Sequence, residues 1–236
     1  MADLILIVPT RGRPHAVAEL AESFSETCTA DTFLVLAVDD DDPELETYRE
    51  AADYAKNNIF GRTHLLVQEA PGSMANALNF ALKYVLDSGK HRAVGFMGDD
   101  HRPRTRGWDR SYVGTLLRQP GVVYGNDLIH GKNLPTQFAV SEAVARAVGF
   151  LSPPGLRHMY IDNYWRDIGQ AAGVLTYLDG VVVEHMHPVA AKAEYDEGYA
   201  RVNDPAVFDH DREVYEAYMA ASKERDLELI RAAVAR

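Results

Sequence analysis

The apolar positions of this chain fall into two spacings that take turns. Leu4–Val8 is an unbroken apolar run, and Phe33–Val38, Thr63–Gln68 and Ala93–Met97 follow, each the length of a strand. Between them, Ala16–Thr27 sets Val17, Leu20 and Phe24 at helical spacing, and Glu44–Asn57 reads as a second helix. A third helix opens at Gly72 and runs to about Leu86, with Gly89 as its stop. Strands alternating with helices in this way imply right-handed βαβ units and a parallel sheet.

Beyond Trp108 the rhythm is less regular. Ser111–Arg118 reads as a short helix, Val122–Tyr124 and Thr136–Val140 as strands, and Ser141–Val148 as a helix begun by a serine cap. Tyr160–Ala172 is helical in pattern, and Val174–Tyr177 and Val181–Glu184 read as two strands. Phe208–Arg236 carries Val214, Tyr218, Leu227, Ile230 and Val234 on one side of an amphipathic helix. No repeat, low-complexity tract or linker divides the chain. The pattern predicts one α/β domain over residues 1–236, with a mostly parallel central sheet flanked by helices and a C-terminal helix.

Composition narrows the classes. The 236 residues suffice for one sizeable core, and 47% hydrophobic with 25% charged residues is globular composition. A net charge of −11 argues against a general nucleic-acid binder, because nonspecific affinity comes from neutralising phosphates, though a local basic groove stays open. Cys28 is the only cysteine, the N-terminal apolar stretch is too short for a signal peptide, and no run approaches a membrane span. The expectation is a soluble cytoplasmic protein with no membrane partner.

The usual nucleotide and hydrolase signatures are missing. No G-x-G-x-x-G follows the first strand, Gly125–Asn133 has the wrong spacing for a P-loop, and no H-E-x-x-H or nucleophile elbow occurs. What stands out is V-G-F-M-G-D-D-H-R-P-R-T-R-G-W-D-R over Val94–Arg110. There an apolar run ends in Gly98, followed by Asp99 and Asp100. Paired carboxylates at the carboxyl end of a buried strand suit an oxygen-binding divalent cation, at the sheet edge where ligands bind. They are read as a metal–diphosphate site, the alternative being a turn with a helix cap.

Three further features bear on that reading. Asp39 and Asp40 close the second strand, either as part of a solvated turn or as acceptors for a base N–H or ribose hydroxyl. In Glu184-His185-Met186-His187-Pro188 the two histidines point the same way on an extended chain, so one could reach a cation held by the aspartates. Asp162 is either a helix cap or a carboxylate placed to deprotonate an acceptor hydroxyl. Arg102, Arg104, Arg106 and Arg110 fit a phosphate-facing loop or an exposed basic turn. Trp108 reads as a core anchor rather than a stacking platform.

Taken in this order, the features resemble the GT-A glycosyltransferases, in particular family 2-like enzymes that use nucleotide-diphosphate sugars. The residues that carry the likeness are Val8-Pro9-Thr10-Arg11 with Arg13-Pro14, Asp39, the glycine and Ala/Asn-rich helix start Gly72–Asn79, Gly98-Asp99-Asp100-His101 in place of a strict D-x-D, and Asp162-Asn163 in place of an E-D pair. The likeness spans about residues 4–190. Leu156–Trp165 and Val183–Pro188 are also similar to stretches of small glycosyltransferases encoded by bacteriophages.

The resemblance implies a GT-A fold with a nucleotide-binding half (1–100), an acceptor and metal half (101–190) and a C-terminal helix (208–236). It implies that Pro9, Thr10, Arg11, Asp39, Gly72, Asn76 and Asp99 hold the nucleotide sugar, with a UDP-sugar expected. Asp100 and His185 or His187 would hold Mn2+ or Mg2+, and Asp162 would be the catalytic base. The implied activity is metal-dependent transfer of a sugar to an acceptor hydroxyl with inversion, in the EC 2.4 class. A bacteriophage enzyme would work in the host cytoplasm, on a modified DNA base or a virion protein. The competing readings are retention, a sugar-nucleotide nucleotidyltransferase, which the single Gly12 of the opening loop counts against, and a non-catalytic sugar-nucleotide binding module. Oligomeric state is not encoded in any of these features.

Overall fold

A computed structural model describes residues 2–69, 72–89, 91–187 and 204–235. The strands in chain order are β1 (Ala2–Pro9), β2 (Thr32–Asp39), β3 (Thr63–Gln68), β4 (His91–Phe96), β5 (His101–Pro103), β6 (Val122–Asn126), β7 (Phe138–Ser141) and β8 (Leu175–His185). The α-helices are α1 (His15–Thr27), α2 (Leu45–Asn58), α3 (Met74–Asp87), α4 (Trp108–Arg118), α5 (Glu142–Val148), α6 (Ile161–Ala172) and α7 (Pro205–Val234). Residues 188–190 of the expected acceptor half, and Arg236 of the expected last helix, lie outside the described residues.

The strands form an eight-stranded sheet in the order β3-β2-β1-β4-β7-β6-β8-β5. β1, β2, β3 and β4 pair in parallel, as the alternating pattern predicts. β7 runs antiparallel to both β4 and β6, so β6 points the same way as β4, and β8 is parallel to β6. Six of the strands therefore end at one edge of the sheet, and only β7 and β5 oppose them.

β1 shows how the sequence sets the two layers. Leu4, Leu6 and Val8 pack on one face with Val17, Leu20 and Phe24 of α1, Tyr48 of α2 and Trp108 of α4. Ile7 packs on the other with Leu78 of α3, Val144 of α5, Trp165 of α6 and Ile230 of α7, and Ile5 lies against the same cluster. Period-2 side chains buried on both faces explain why the run carries no polar residue. Trp108 is fully buried with its ring edge-on to Phe24 and Tyr112, an anchor as expected. Among the described residues no helix is long and apolar enough to cross a membrane.

Two sequence expectations change. The two late strands are one, β8, because Asp179-Gly180 sits in a bulge: the partner of Gly125 is Leu178 and that of Asn126 is already Val182. The turn signal is real, but the ladder resumes beyond it. β5 was not expected at all. Its three residues end in proline and have no readable period, yet they pair His101 with His185 and Pro103 with Val183. Ser141 does occupy the position before α5, but its hydroxyl makes no cap bond.

Candidate functional site

The carboxyl edges of β1, β2, β4, β6 and β8 meet at a cleft of about 1130 Å3. Pro9, Thr10, Arg11 and Arg13 enter it from the loop after β1, and Asp39 from the end of β2. Gly72, Ser73, Met74 and Ala77 enter at the start of α3. Asp99, Asp100 and His101 follow β4, His185 and His187 close β8, and Asp162 opens α6. Asn76, expected with Gly72, is exposed on α3 and is not among the residues that line the cleft.

The four aspartates after β2 divide their work. Asp39 accepts from Arg11 Nη1 and Gln68 Nε2, both at 3.4 Å, and burial raises its carboxyl against those bonds. Asp41 pairs with Arg11. Asp42 is buried and fixes the turn, accepting from the backbone N–H groups of Gly12 and Glu44.

Asp99 and Asp100 face different partners. Asp99 is tied to the β1 loop by a chain with one direction. The Arg13 N–H donates to Tyr48 Oη (2.8 Å), Tyr48 donates to Thr10 Oγ1 (2.8 Å), and Thr10 donates to Asp99 Oδ2 (2.6 Å). Arg13 Nη1 reaches the other oxygen at 3.3 Å. Burial and the neighbouring Asp100 charge nonetheless raise the Asp99 carboxyl. Tyr48 sits in the first turn of α2, and no sequence signal marks it.

Asp100 lies between two imidazoles, with Oδ1 3.1 Å from His101 Nδ1 and Oδ2 3.2 Å from His185 Nε2. Burial alone would raise its carboxyl, but the two histidines hold it well below the usual range. The β5–β8 pairing stacks the rings of His101 and His185 with centroids 4.1 Å apart. Asp100, His101 and His185 each offer one ligand atom within 4.8 Å of the others. His187 stands edge-on to His185 at 5.0 Å, outside that group. His101 is thus the ligand candidate that sequence reading passed over. Gly98 makes room for the cluster: a Cβ there would lie 2.6 Å from Asp100 Oδ1 and 3.0 Å from His101 Nδ1.

These donors fit a divalent cation. Thr136 Oγ1 gives its proton to Asp127 Oδ2 (3.0 Å), so it accepts from His101 Nε2–H at 3.4 Å. His101 Nδ1 and the Asp100 carboxylate face each other at the spacing of two ligand atoms. Burial lowers the His101 pKa, in the direction of the neutral form that binds a metal. Among the described residues, the buried His185 Nδ1 has no hydrogen-bond partner. One carboxylate with two imidazoles suits Mn2+ better than Mg2+, which prefers an all-oxygen shell.

The opposite wall is held by two buried carboxylates. Asp127 accepts from the backbone N–H groups of Ile129 (3.0 Å), His130 (2.7 Å) and Gly131 (2.9 Å), and from His130 Nδ1 (2.9 Å). Those bonds outweigh burial and hold its carboxyl far below the usual range. Asp211 of α7 accepts from the N–H groups of Arg157 (2.9 Å), His158 (2.8 Å) and Met159 (2.7 Å), which line the cleft. Leu128 and Tyr160, beside these hubs, have φ of 63° and 68°. Such left-handed non-glycine residues persist only where their surroundings fix them.

Asp162 is not the cap of α6; that position is Tyr160. It is half-buried in the first turn and accepts from the Asn163 N–H at 2.8 Å. Burial raises its carboxyl, opposed by that bond and by the charge of His130. Of the two readings of the arginines after Asp100, the exposed turn fits Arg104, Arg106 and Arg110, and none of the four lines the cleft. Arg102 is buried against Glu19 and the carbonyls of Asp99 and His101, Arg104 pairs with Glu184, Arg110 bonds the Thr29 carbonyl, and Arg106 is exposed. The cations that line the cleft are Arg11, Arg13 and Arg157.

No protein-family model matches the sequence, and no curated protein does. Solved structures do match in shape. PcManGT, a mannosyltransferase from Pyrobaculum calidifontis in complex with GDP-Man and Mn2+, aligns over 98% of this chain and 74% of its own. Its TM-score is 0.60 and its identity 16%. TarS of S. aureus, residues 1–349, aligns over 94% of this chain and 73% of its own, at TM-score 0.58 and 13% identity. Its complex with UDP-GlcNAc aligns over 96% and 75%, at TM-score 0.57 and 13% identity. The fold is that of the GT-A glycosyltransferases.

Proposed function

We propose that the chain is a glycosyltransferase that moves a sugar from a nucleotide-diphosphate donor to an acceptor hydroxyl with inversion. The observation that carries the reading is the meeting, in one cleft, of the β1 loop, Asp39, the Asp99–Asp100 pair with its histidines, and Asp162. That the fold neighbours include proteins solved with GDP-Man, UDP-GlcNAc and Mn2+ supports it.

The nucleoside would lie against Pro9–Arg11, with Asp39 accepting from a base or ribose donor. Asp99, fixed by Thr10 and Arg13, would orient the ribose side of the site. Asp100, His101 and His185 would hold the cation; Mn2+ bound there supplies Lewis-acid charge to the diphosphate. Arg13 and Arg157 face the same cleft and would add charge near the leaving group. Asp162, whose raised pKa suits a general base better than an ordinary surface carboxylate, would take the acceptor proton.

A panel of UDP-, GDP- and dTDP-sugars with Mn2+, read by thermal shift and hydrolysis, tests the reading. At 100 times its Kd the true donor stabilises by about 2.7 kcal/mol, a shift of about 5–10 °C for a domain of this size. Turnover should disappear in Asp100→Ala while the apo melting profile is kept, and the product anomer read by NMR should be inverted. Wild-type turnover in Asp100→Ala would remove the assignment.

A further inference from the structure

His130 was not a candidate on sequence grounds, and the donor site gives it no role. It lies in the loop after β6, lines the cleft, and leaves 43% of its side chain exposed. Its Nδ1 is 2.9 Å from Asp127 Oδ2, and that carboxylate is itself 1% exposed and held by the three backbone N–H groups described above. An ionised carboxylate only accepts, so Nδ1 carries the proton. In its neutral form the ring carries a lone pair on Nε2. A buried aspartate that holds a histidine through Nδ1 fixes both tautomer and orientation.

Asp162 lines the same cleft and lies within electrostatic reach of His130. The acceptor side of the site thus offers two groups that accept, and neither donates. One hydroxyl has one proton and can satisfy only one of them. A molecule that satisfies both must bring two donors side by side. The wall beside them carries Met159, Tyr160 and Phe208, with Tyr160 and Phe208 rings 5.5 Å apart and Phe208 44% exposed. A ring that shows hydroxyls at one edge and C–H groups on a face matches both surfaces.

We propose that His130, oriented by Asp127, is an acceptor-binding residue that selects a vicinal diol on a sugar ring: one hydroxyl reacts at Asp162 while its neighbour donates to His130 Nε2. This rests on the glycosyltransferase reading. In the step itself the reacting oxygen bonds the anomeric carbon and the bond to the diphosphate oxygen breaks, its electron pair leaving with the diphosphate. The hydroxyl proton goes to Asp162. The neighbouring hydroxyl keeps its own proton, and His130 ends as it began.

The test is a cycle between enzyme and acceptor, with the donor found by hydrolysis. Methyl glycosides of glucose, galactose, mannose and N-acetylglucosamine are compared with their singly deoxygenated analogues, using wild type, His130→Ala and Asp127→Asn. For the best glycoside, removing the hydroxyl next to the reacting one should lower kcat/KM about 100-fold, the scale on which a polar site rejects an analogue lacking its partner. His130→Ala should lose about as much on the full glycoside and nothing further on that deoxy analogue. Asp127→Asn, whose amide would donate to Nδ1 and move the proton to Nε2, turns the bond round so that the hydroxyl accepts, and should keep more of the preference for the full glycoside than His130→Ala.

Equal losses by His130→Ala on full and deoxy acceptors would overturn the proposal. So would intact donor hydrolysis with no transfer to any glycoside, or transfer only to a serine peptide or a nucleoside. Those results leave the glycosyltransferase reading standing. A wild type that neither hydrolyses nor transfers any nucleotide sugar removes that reading and this one with it.

Discussion

The two sides of the cleft are built by different physics. On the β1–β4 side, Pro9, Asp39 and Asp99 reach the site because adjacent parallel strands end there in register, Pro9 opposite Ala37 and Asp39 opposite Gln68. On the β6–α7 side, the loops around 129–131 and 157–159 follow no ladder. Each is gathered by one buried carboxylate, Asp127 or Asp211, that accepts three consecutive backbone N–H groups. Asp39 and Asp99 on the first side and the two wall carboxylates on the second are perturbed in opposite directions. Burial raises Asp39 and Asp99, whereas hydrogen bonds lower Asp127 and Asp211 in spite of burial. A carboxylate aimed at a ligand is left short of partners; one that builds the wall is saturated with them.

The largest effect should come from removing a saturated acid. Asp211→Ala leaves three backbone N–H groups and His210 without their acceptor in a site where Asp211 is fully buried. The expected loss is about 3 kcal/mol, or about 6–12 °C in Tm. Asp39→Ala, on the other side, should change stability by less than about 1 kcal/mol, because only two long bonds at 3.4 Å are lost. Urea unfolding of the two variants in parallel decides the matter; equal losses would erase the distinction.

Acid titration of the wild type reads the same contrast. The contribution of Asp127 and Asp211 is complete above the unfolded carboxylate pKa of about 3.9 and is lost as pH falls through their lower folded values. For Asp39 the sign reverses: burial of the charge opposes folding at neutral pH, and protonation through its raised pKa relieves that. Stability should therefore fall steeply below about pH 4, as Asp127 and Asp211 take protons. Asp211→Asn should flatten only the acid limb.

The same contrast explains what could be read from sequence. Strand ends carry the signal on the first side: an apolar run, then Asp39 or Asp99, gives element and edge together. The wall on the second side depends on contacts with no period. Asp127 does follow an apolar run, as Asp99 does, and it precedes His130 by three residues, so part of a signal was present. His101 was visible beside Asp100, but its role depends on a three-residue strand that registers it against His185. The arginines after Asp100 left two readings open because charge pattern says nothing of direction, and Arg102 turns inward to carbonyls.

A smaller change tests whether Asp100 and its histidines act as one unit apart from the strands beneath them. A Cβ at Gly98 would overlap Asp100 Oδ1 and crowd His101 Nδ1, and neither contact is with the core. Gly98→Ala should lower Mn2+ affinity about 10- to 100-fold, the scale seen when the groups that orient metal ligands are disturbed, as read by electron paramagnetic resonance. Tm should move by only a few degrees. A collapse in stability comparable to that of Asp211→Ala would mean that the cluster is part of the framework.

The smallest expected effect isolates nucleotide recognition. Asp39→Asn keeps the shape of the side chain and the sheet register but exchanges an acceptor oxygen for a donor amide. If Asp39 accepts from the base or ribose, one hydrogen bond to a charged group is lost, and donor Kd should rise about 10-fold. Arg11 keeps Asp41 as a partner, so the loop that carries it should hold its place. kcat at saturating donor should stay within about twofold, because the bond is the same in ground and transition states. A fall in kcat with Kd unchanged would move Asp39 from binding to chemistry. That would also break the contrast drawn here, since an acid at the far end of the parallel strands would then be acting on the same step as Asp162.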